Sequence, residues 1–221
     1  MREERATALL GIIERALVLP QLEPLNPDPF ETLIRTIISQ NTTDKNAIRA
    51  FENLSKHFEI NSEALAKAEL SQLEHSIRVA GLHKRKARSI RQVSNKIEKE
   101  YCGDFASILS KPFEEARAVL IQFPGVGPKT ADIVLLFAAK QSTFPVDTHV
   151  DRVAKRLGLT DAKGNYESVR ESLQSLFNPP DYLKAHLLLI AHGRRYCKSR
   201  QPLCNECPTS MHCPSKELLT K

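Results

Sequence analysis

Two side chains and one cysteine cluster are the parts of this sequence whose types and spacing could do chemistry. Lys129 lies in LIQFPGVGPKTADIV, residues 120–134. Pro124 cannot continue a preceding helix, Gly125 and Gly127 bracket Val126, and Pro128 suits the first position of a new helix. A hairpin of this kind leaves backbone N–H groups at a positive helix end, a phosphate-binding geometry. Gly125, Val126 and Gly127 are therefore the expected phosphate contacts, and Lys129 falls in the first helical turn behind them. An amine attacks carbon only when neutral, and an ordinary lysine, with a pKa of about 10.4, is charged near neutrality. A helix N-terminus disfavours the ammonium, so this placement suits a nucleophile as well as a plain phosphate contact. Asp147, in FPVDTHVDRV, reads as a helix N-cap whose carboxylate could also stabilise a nearby cation. His149, two residues on, reads as structural or as a minor contact.

Cys197, Cys204, Cys207 and Cys213 follow the spacing C-x6-C-x2-C-x5-C. Four thiolates on one compact loop point to a metal centre, and both zinc and a 4Fe–4S cluster use four cysteines. Cys102 stands apart and is expected to pack as a small apolar residue.

The surrounding pattern is helical nearly throughout, with roughly ten helices and no useful strand alternation, so the expected fold class is all-α. Asp28-Pro29 with Glu31 reads as a capping box opening a strongly apolar helix. That helix breaks at the polar stretch Ser39-Gln40-Asn41-Thr42-Thr43, and Asp44 is expected to cap the next one. Gly81 ends a short helix, Leu82 follows it, and Lys84, Arg85 and Lys86 lead into a helix with a basic outer face. The helix after the hairpin, expected to reach about Lys140, should be the most buried. Asp181 is expected to cap the last long helix. Lys and Arg number 32 against 26 Asp and Glu, a net +6 that is compatible with a polyanion partner. No apolar run is long enough to span a membrane. The N-terminus lacks signal-peptide features, so a cytoplasmic, nucleoid-associated protein is expected.

Taken together, FPGVGPKTA at 123–131, FPVDTHVDRVAKRLG at 144–158 and HGRRYC running into the cysteine spacing resemble the endonuclease III family of helix-hairpin-helix DNA glycosylases. The resemblance covers nearly the whole chain, including the GLHKRKA element at 81–87. It implies two helical domains with a DNA groove between them. One is a six-helix domain at 29–141, its hairpin at 123–129; the other joins 1–28 to 142–221 and carries a 4Fe–4S cluster on loop 197–213. Lys129 then matches the family's catalytic lysine, Asp147 its catalytic aspartate, the four cysteines its cluster ligands, and Leu82 a residue that wedges into the duplex. The family often has Gln where Asn41 falls; here Gln40 is shifted by one, so either side chain could fill the space of a flipped base. The implied activity is excision of damaged bases, oxidised pyrimidines foremost, followed by strand cleavage through a lysine Schiff base. The implied partner is double-stranded DNA bearing damaged bases or abasic sites, met by a monomer without membrane attachment. The alternatives are a monofunctional mismatch glycosylase, whose relatives typically lack lysine at 129, and a non-catalytic DNA-binding module with structural zinc.

Overall fold

A computed structural model describes residues 2–17 and 28–219. Along the chain these residues form α1 (Arg2–Ala16), α2 (Pro29–Ser39), α3 (Asp44–His57), α4 (Ser62–Lys67), α5 (Leu70–Ser76), α6 (His83–Tyr101), α7 (Ala106–Leu109), α8 (Phe113–Ile121), α9 (Pro128–Phe137), α10 (Thr148–Arg156), α11 (Tyr166–Leu176), α12 (Tyr182–Arg195) and α13 (Lys216–Leu219), with three short 3-10 turns. The class is all-α. The described residues form two compact units, one of 28–141 and one of 2–17 with 142–219. The first holds eight α-helices rather than six, α4 and α7 being short pieces of 6 and 4 residues.

In the 28–141 unit the core is built around α2. Leu33, Ile34, Ile37 and Ile38 are fully buried and meet Leu54, Leu73, Ile90, Val93, Val134 and Leu135 in one cluster. Thr32 and Thr36 are buried as well, so α2 buries both its apolar stripe and part of its polar side. It is α2, not the helix after the hairpin, that is most deeply enclosed. On α9 the residues Ile133, Leu136 and Phe137 stay partly open, and the helix stops at Phe137. Lys140 takes a left-handed φ of 53° there, and the Gln141 N–H closes on the Leu135 carbonyl at 2.9 Å. A buried ion pair fixes the two hairpin helices: Arg117 on α8 reaches Asp132 on α9 with Nε–Oδ1 at 2.8 Å and Nη2–Oδ2 at 3.3 Å.

Three cap expectations change in detail. The Asp28 carboxylate accepts from the Glu31 N–H at 2.8 Å, but the Glu31 side chain turns forward to Arg35 at 2.6 Å and does not close the box. Thr43, not Asp44, caps α3, its hydroxyl accepting from the Asn46 N–H at 3.3 Å. Asp181 ends the 3-10 turn Pro179–Asp181 and makes no side-chain cap bond, because its backbone is already helical. Cys102 is exposed rather than packed; it sits at φ 53°, where α6 reverses ahead of Gly103.

The second unit packs α1, α10, α11 and α12 around Phe144. Its ring stacks on Phe177 at 5.9 Å and meets Tyr182 edge-on at 5.7 Å. Ala6, Leu10 and Ile13 of α1 join this core. Arg5 extends the attachment by donating to the carbonyls of Leu157 at 2.7 Å, Gly158 at 3.3 Å and His212 at 3.1 Å. No helix among the described residues is long and apolar enough to cross a membrane.

Candidate active site

The hairpin between α8 and α9 is a tight turn anchored from inside. Phe123 is buried and its carbonyl accepts the Val126 N–H at 3.0 Å. That bond corrects the expectation for Val126: its side chain is buried and its N–H is spent inside the turn, so it is not a phosphate donor. The donors left by helix geometry are the N–H groups of Gly127, Lys129 and Thr130 at the mouth of α9, since the first helical bond runs from Ala131 N–H to the Gly127 carbonyl at 3.0 Å. Gly127 is the N-cap and brings no side chain to occupy them. Lys129 is exposed in this first turn.

The two hairpin glycines are there for different reasons. Gly125 has φ 83°, and an added Cβ would stand 2.6 Å from Ser89 Oγ on α6. Close packing alone accounts for it. Gly127 has an ordinary φ of −97° and no atom within 4 Å of an added Cβ. Nothing inside the protein calls for glycine at 127; a bulky group approaching from outside would.

Two further sequence candidates lie in the same unit. Gln40 is the C-cap residue of α2 and turns toward the hairpin, its Nε2 donating to the Gly125 carbonyl at 2.9 Å and to Thr130 Oγ1 at 3.3 Å. Asn41 is exposed and takes φ 52°, a left-handed conformation that asparagine tolerates well. Leu82 also has a left-handed φ, 48°, and is 53% exposed. A leucine held in that region and in water costs about 1 kcal/mol in backbone energy alone.

Lys86, within the basic run that leads into α6, is 3% exposed rather than solvated, and its Nζ donates to the carbonyls of Ile38 at 2.7 Å and Ala80 at 3.0 Å. Burial pulls its pKa below the usual lysine value. The signal was present: 86, 90, 93 and 97 share one helical face, and the other three are Ile90, Val93 and Ile97.

Asp147 belongs to the other unit. It caps α10 with one oxygen, Oδ1, which accepts the N–H groups of His149 at 2.8 Å and Val150 at 2.7 Å. His149 is half-buried with Nδ1 3.1 Å from Arg152 Nη2, consistent with a structural residue. Along the same helix, Arg152 and Arg156 hold the start of the cysteine loop. Arg152 donates to the Cys197 carbonyl at 2.9 Å, and Arg156 to the carbonyls of Lys198 at 2.7 Å and Ser199 at 3.2 Å.

Cys197, Cys204, Cys207 and Cys213 all line one small apolar cavity of the second unit, together with Leu157, His192 and Tyr196. Burial, then the neighbouring thiols, pushes Cys204 up; burial does the same to Cys213. Cys207 Sγ lies 3.2 Å from Thr209 Oγ1 and 3.6 Å from His192 Nε2. Arg156 Nη1 lies 3.5 Å from Cys197 Sγ. Burial lowers the His192 pKa to about 4, so its imidazole is neutral at pH 7. Among the described residues, no three His, Cys, Asp or Glu side chains converge tightly enough for a single metal ion.

The sequence profile of the HhH-GPD superfamily, described as base excision DNA repair proteins, matches residues 34–179. Endonuclease III of Sulfolobus acidocaldarius is 39% identical over 83% of this chain and 81% of its own. Endonuclease III of Thermotoga maritima is 35% identical over 84% of this chain and 83% of its own. In three dimensions the chain is similar to a trapped endonuclease III–DNA covalent intermediate, with a TM-score of 0.86, 27% identity and 99% of both chains covered.

Proposed function

Because the chain belongs to the HhH-GPD superfamily of base excision DNA repair proteins, we propose a specific division of labour among its residues. The activity is that of a bifunctional DNA glycosylase and abasic-site lyase. The observation that carries the assignment is Lys129, exposed at a helix mouth whose amides have no side-chain cap. Those amides grip a DNA phosphate and hold the register. Asn41, presented to solvent, fills the space left by the everted nucleotide, since Gln40 is engaged in bracing the hairpin. Leu82 enters the stack beside it. Everting a base costs a few kcal/mol, least for a weakly paired lesion.

The Lys129 amine forms a bond to the sugar C1′ as the glycosidic bond breaks and the base departs. Positive charge gathers on the sugar during this step, and the Asp147 carboxylate stabilises it. Proton loss from the new amine and opening of the sugar ring give a Schiff base between Lys129 and C1′. The Schiff base acidifies C2′; removal of that proton expels the 3′ phosphate and cuts the strand. The preferred substrates are oxidised pyrimidines in duplex DNA, met by a monomer.

The four cysteines fit a 4Fe–4S cluster: they line one small apolar cavity and offer four sulfur donors. When bound, the cluster supplies a rigid centre for the loop that Arg152 and Arg156 tie to α10, the helix Asp147 opens. A visible absorbance band from purified protein supports iron–sulfur; its absence with zinc by metal analysis overturns it, because zinc is d10 and colourless.

The central test is borohydride trapping on a duplex with one oxidised pyrimidine. Wild type gives a covalent protein–DNA adduct and Lys129→Ala gives none. An adduct from the alanine variant would remove Lys129 from the mechanism, and a panel of lesions ranks the substrates.

A further inference from the structure

We infer that Lys86 is a positioning residue that sets, from inside the protein, the two side chains that enter DNA. This rests on the roles given above to Asn41 and Leu82. Its ammonium joins two backbone sites that are distant in sequence. Ile38 lies in the last turn of α2, three residues before Asn41; Ala80 ends a 3-10 turn two residues before Leu82. Both carbonyls belong to helix ends, where the last C=O groups lack helical partners and carry partial negative charge. One buried cation thus satisfies two such carbonyls and spans the roots of both entering segments.

The conformations at the two tips make the restraint necessary. Asn41 and Leu82 each adopt positive φ, 52° and 48°. Both side chains lie exposed, so packing at the tips themselves contributes little to holding them. Gly81, between Ala80 and Leu82, has φ 67° and nothing within 4 Å of an added Cβ, so side-chain contact does not fix that corner either. What remains is hydrogen bonding at the roots. The Lys86 N–H itself accepts this logic: it donates to the Leu82 carbonyl at 3.0 Å, so both ends of residue 86 fasten the same turn. A buried ammonium is costly to desolvate, and burial has already lowered its pKa. A methionine of similar length would fill the space without that cost, so packing does not explain a lysine here.

The experiment compares abasic-site cleavage in single-stranded and duplex oligonucleotides, using the full-length protein with its cofactor. Single-stranded cleavage needs Lys129 chemistry but no insertion into a stack. Lys86→Met is expected to lose roughly tenfold to a hundredfold on duplex, the scale of an ångström-sized misplacement, and to hold its single-strand rate within about twofold of wild type. Lys86→Arg, which keeps the donors, is expected to recover part of the duplex rate. A second measurement guards against a folding defect. Leu82→Ala and Lys86→Met should be non-additive on duplex, because one acts through the other. Equal loss on both substrates, unchanged duplex cleavage, or additive effects would each overturn the inference. If wild type cleaves neither substrate, it is the lyase reading that fails, a different result from any of these.

Discussion

The mouths of α9 and α10 are the same structural object put to opposite uses. Each is the N-terminus of a short helix, with partial positive charge and unpaired amides. At α10 the protein supplies its own anion: Asp147 Oδ1 takes two of the amides and fills the site. At α9 the cap is Gly127, which supplies nothing and leaves space around itself. One mouth is closed by a carboxylate and the other is open to an anion from outside. The contrast shows that helix polarity sets a potential, whereas the cap residue decides whether a ligand can use it.

The comparison can be broken at either end. Lys129→Ala is expected to abolish the borohydride-trapped adduct completely, with little change in melting temperature because the side chain is exposed. Asp132→Asn, which removes the charge facing Arg117 and loosens α9 from α8, should cost about 1.5–3 kcal/mol in denaturant unfolding, the scale of a hydrogen bond to a charged group. Gly125→Ala should lose about 1–3 kcal/mol, for it forces a left-handed backbone and a clash with Ser89. Asp147→Ala should cost about 1 kcal/mol in stability, while Asp147→Asn keeps a cap oxygen and most of that stability. Both should slow base release strongly in single-turnover assays, separating the charge from the cap. Gly127→Ala is expected to be nearly neutral in unfolding, within about 0.5 kcal/mol, yet to weaken duplex affinity. If Gly127→Ala binds as tightly as wild type, the open mouth is not where a phosphate sits.

Much of the site was legible because it is written in local chemistry. Pro-Gly-x-Gly-Pro dictates a turn and a helix start, and Asp147 ahead of a helical run reads as the cap it is. What was not legible depends on tertiary partners. Asp132 sits in a run of apolar residues, and nothing nearby in sequence announces Arg117 across the hairpin. Thr43 and Asp44 are both competent caps, and a one-residue shift decided by packing chose between them. The Val126 amide was lost to a turn bond that residue types do not reveal. Lys86 was hidden by its charge: its helical position placed it among buried residues, but a lysine in a basic run reads as solvated.

The discontinuity of the second unit has a consequence for how the chain is made. α1 leaves the ribosome ahead of the rest of its unit: two of the carbonyls Arg5 binds lie 152 and 207 residues further on. At about 5–20 residues per second, the last of them is synthesised roughly 10–40 s later. The whole of 28–141 is available to fold in that interval. Meanwhile Ala6, Leu10 and Ile13 have none of their final neighbours from residue 142 onward. α1 is therefore made well before the residues that bury it, and its apolar stripe is the surface a nascent-chain chaperone would meet.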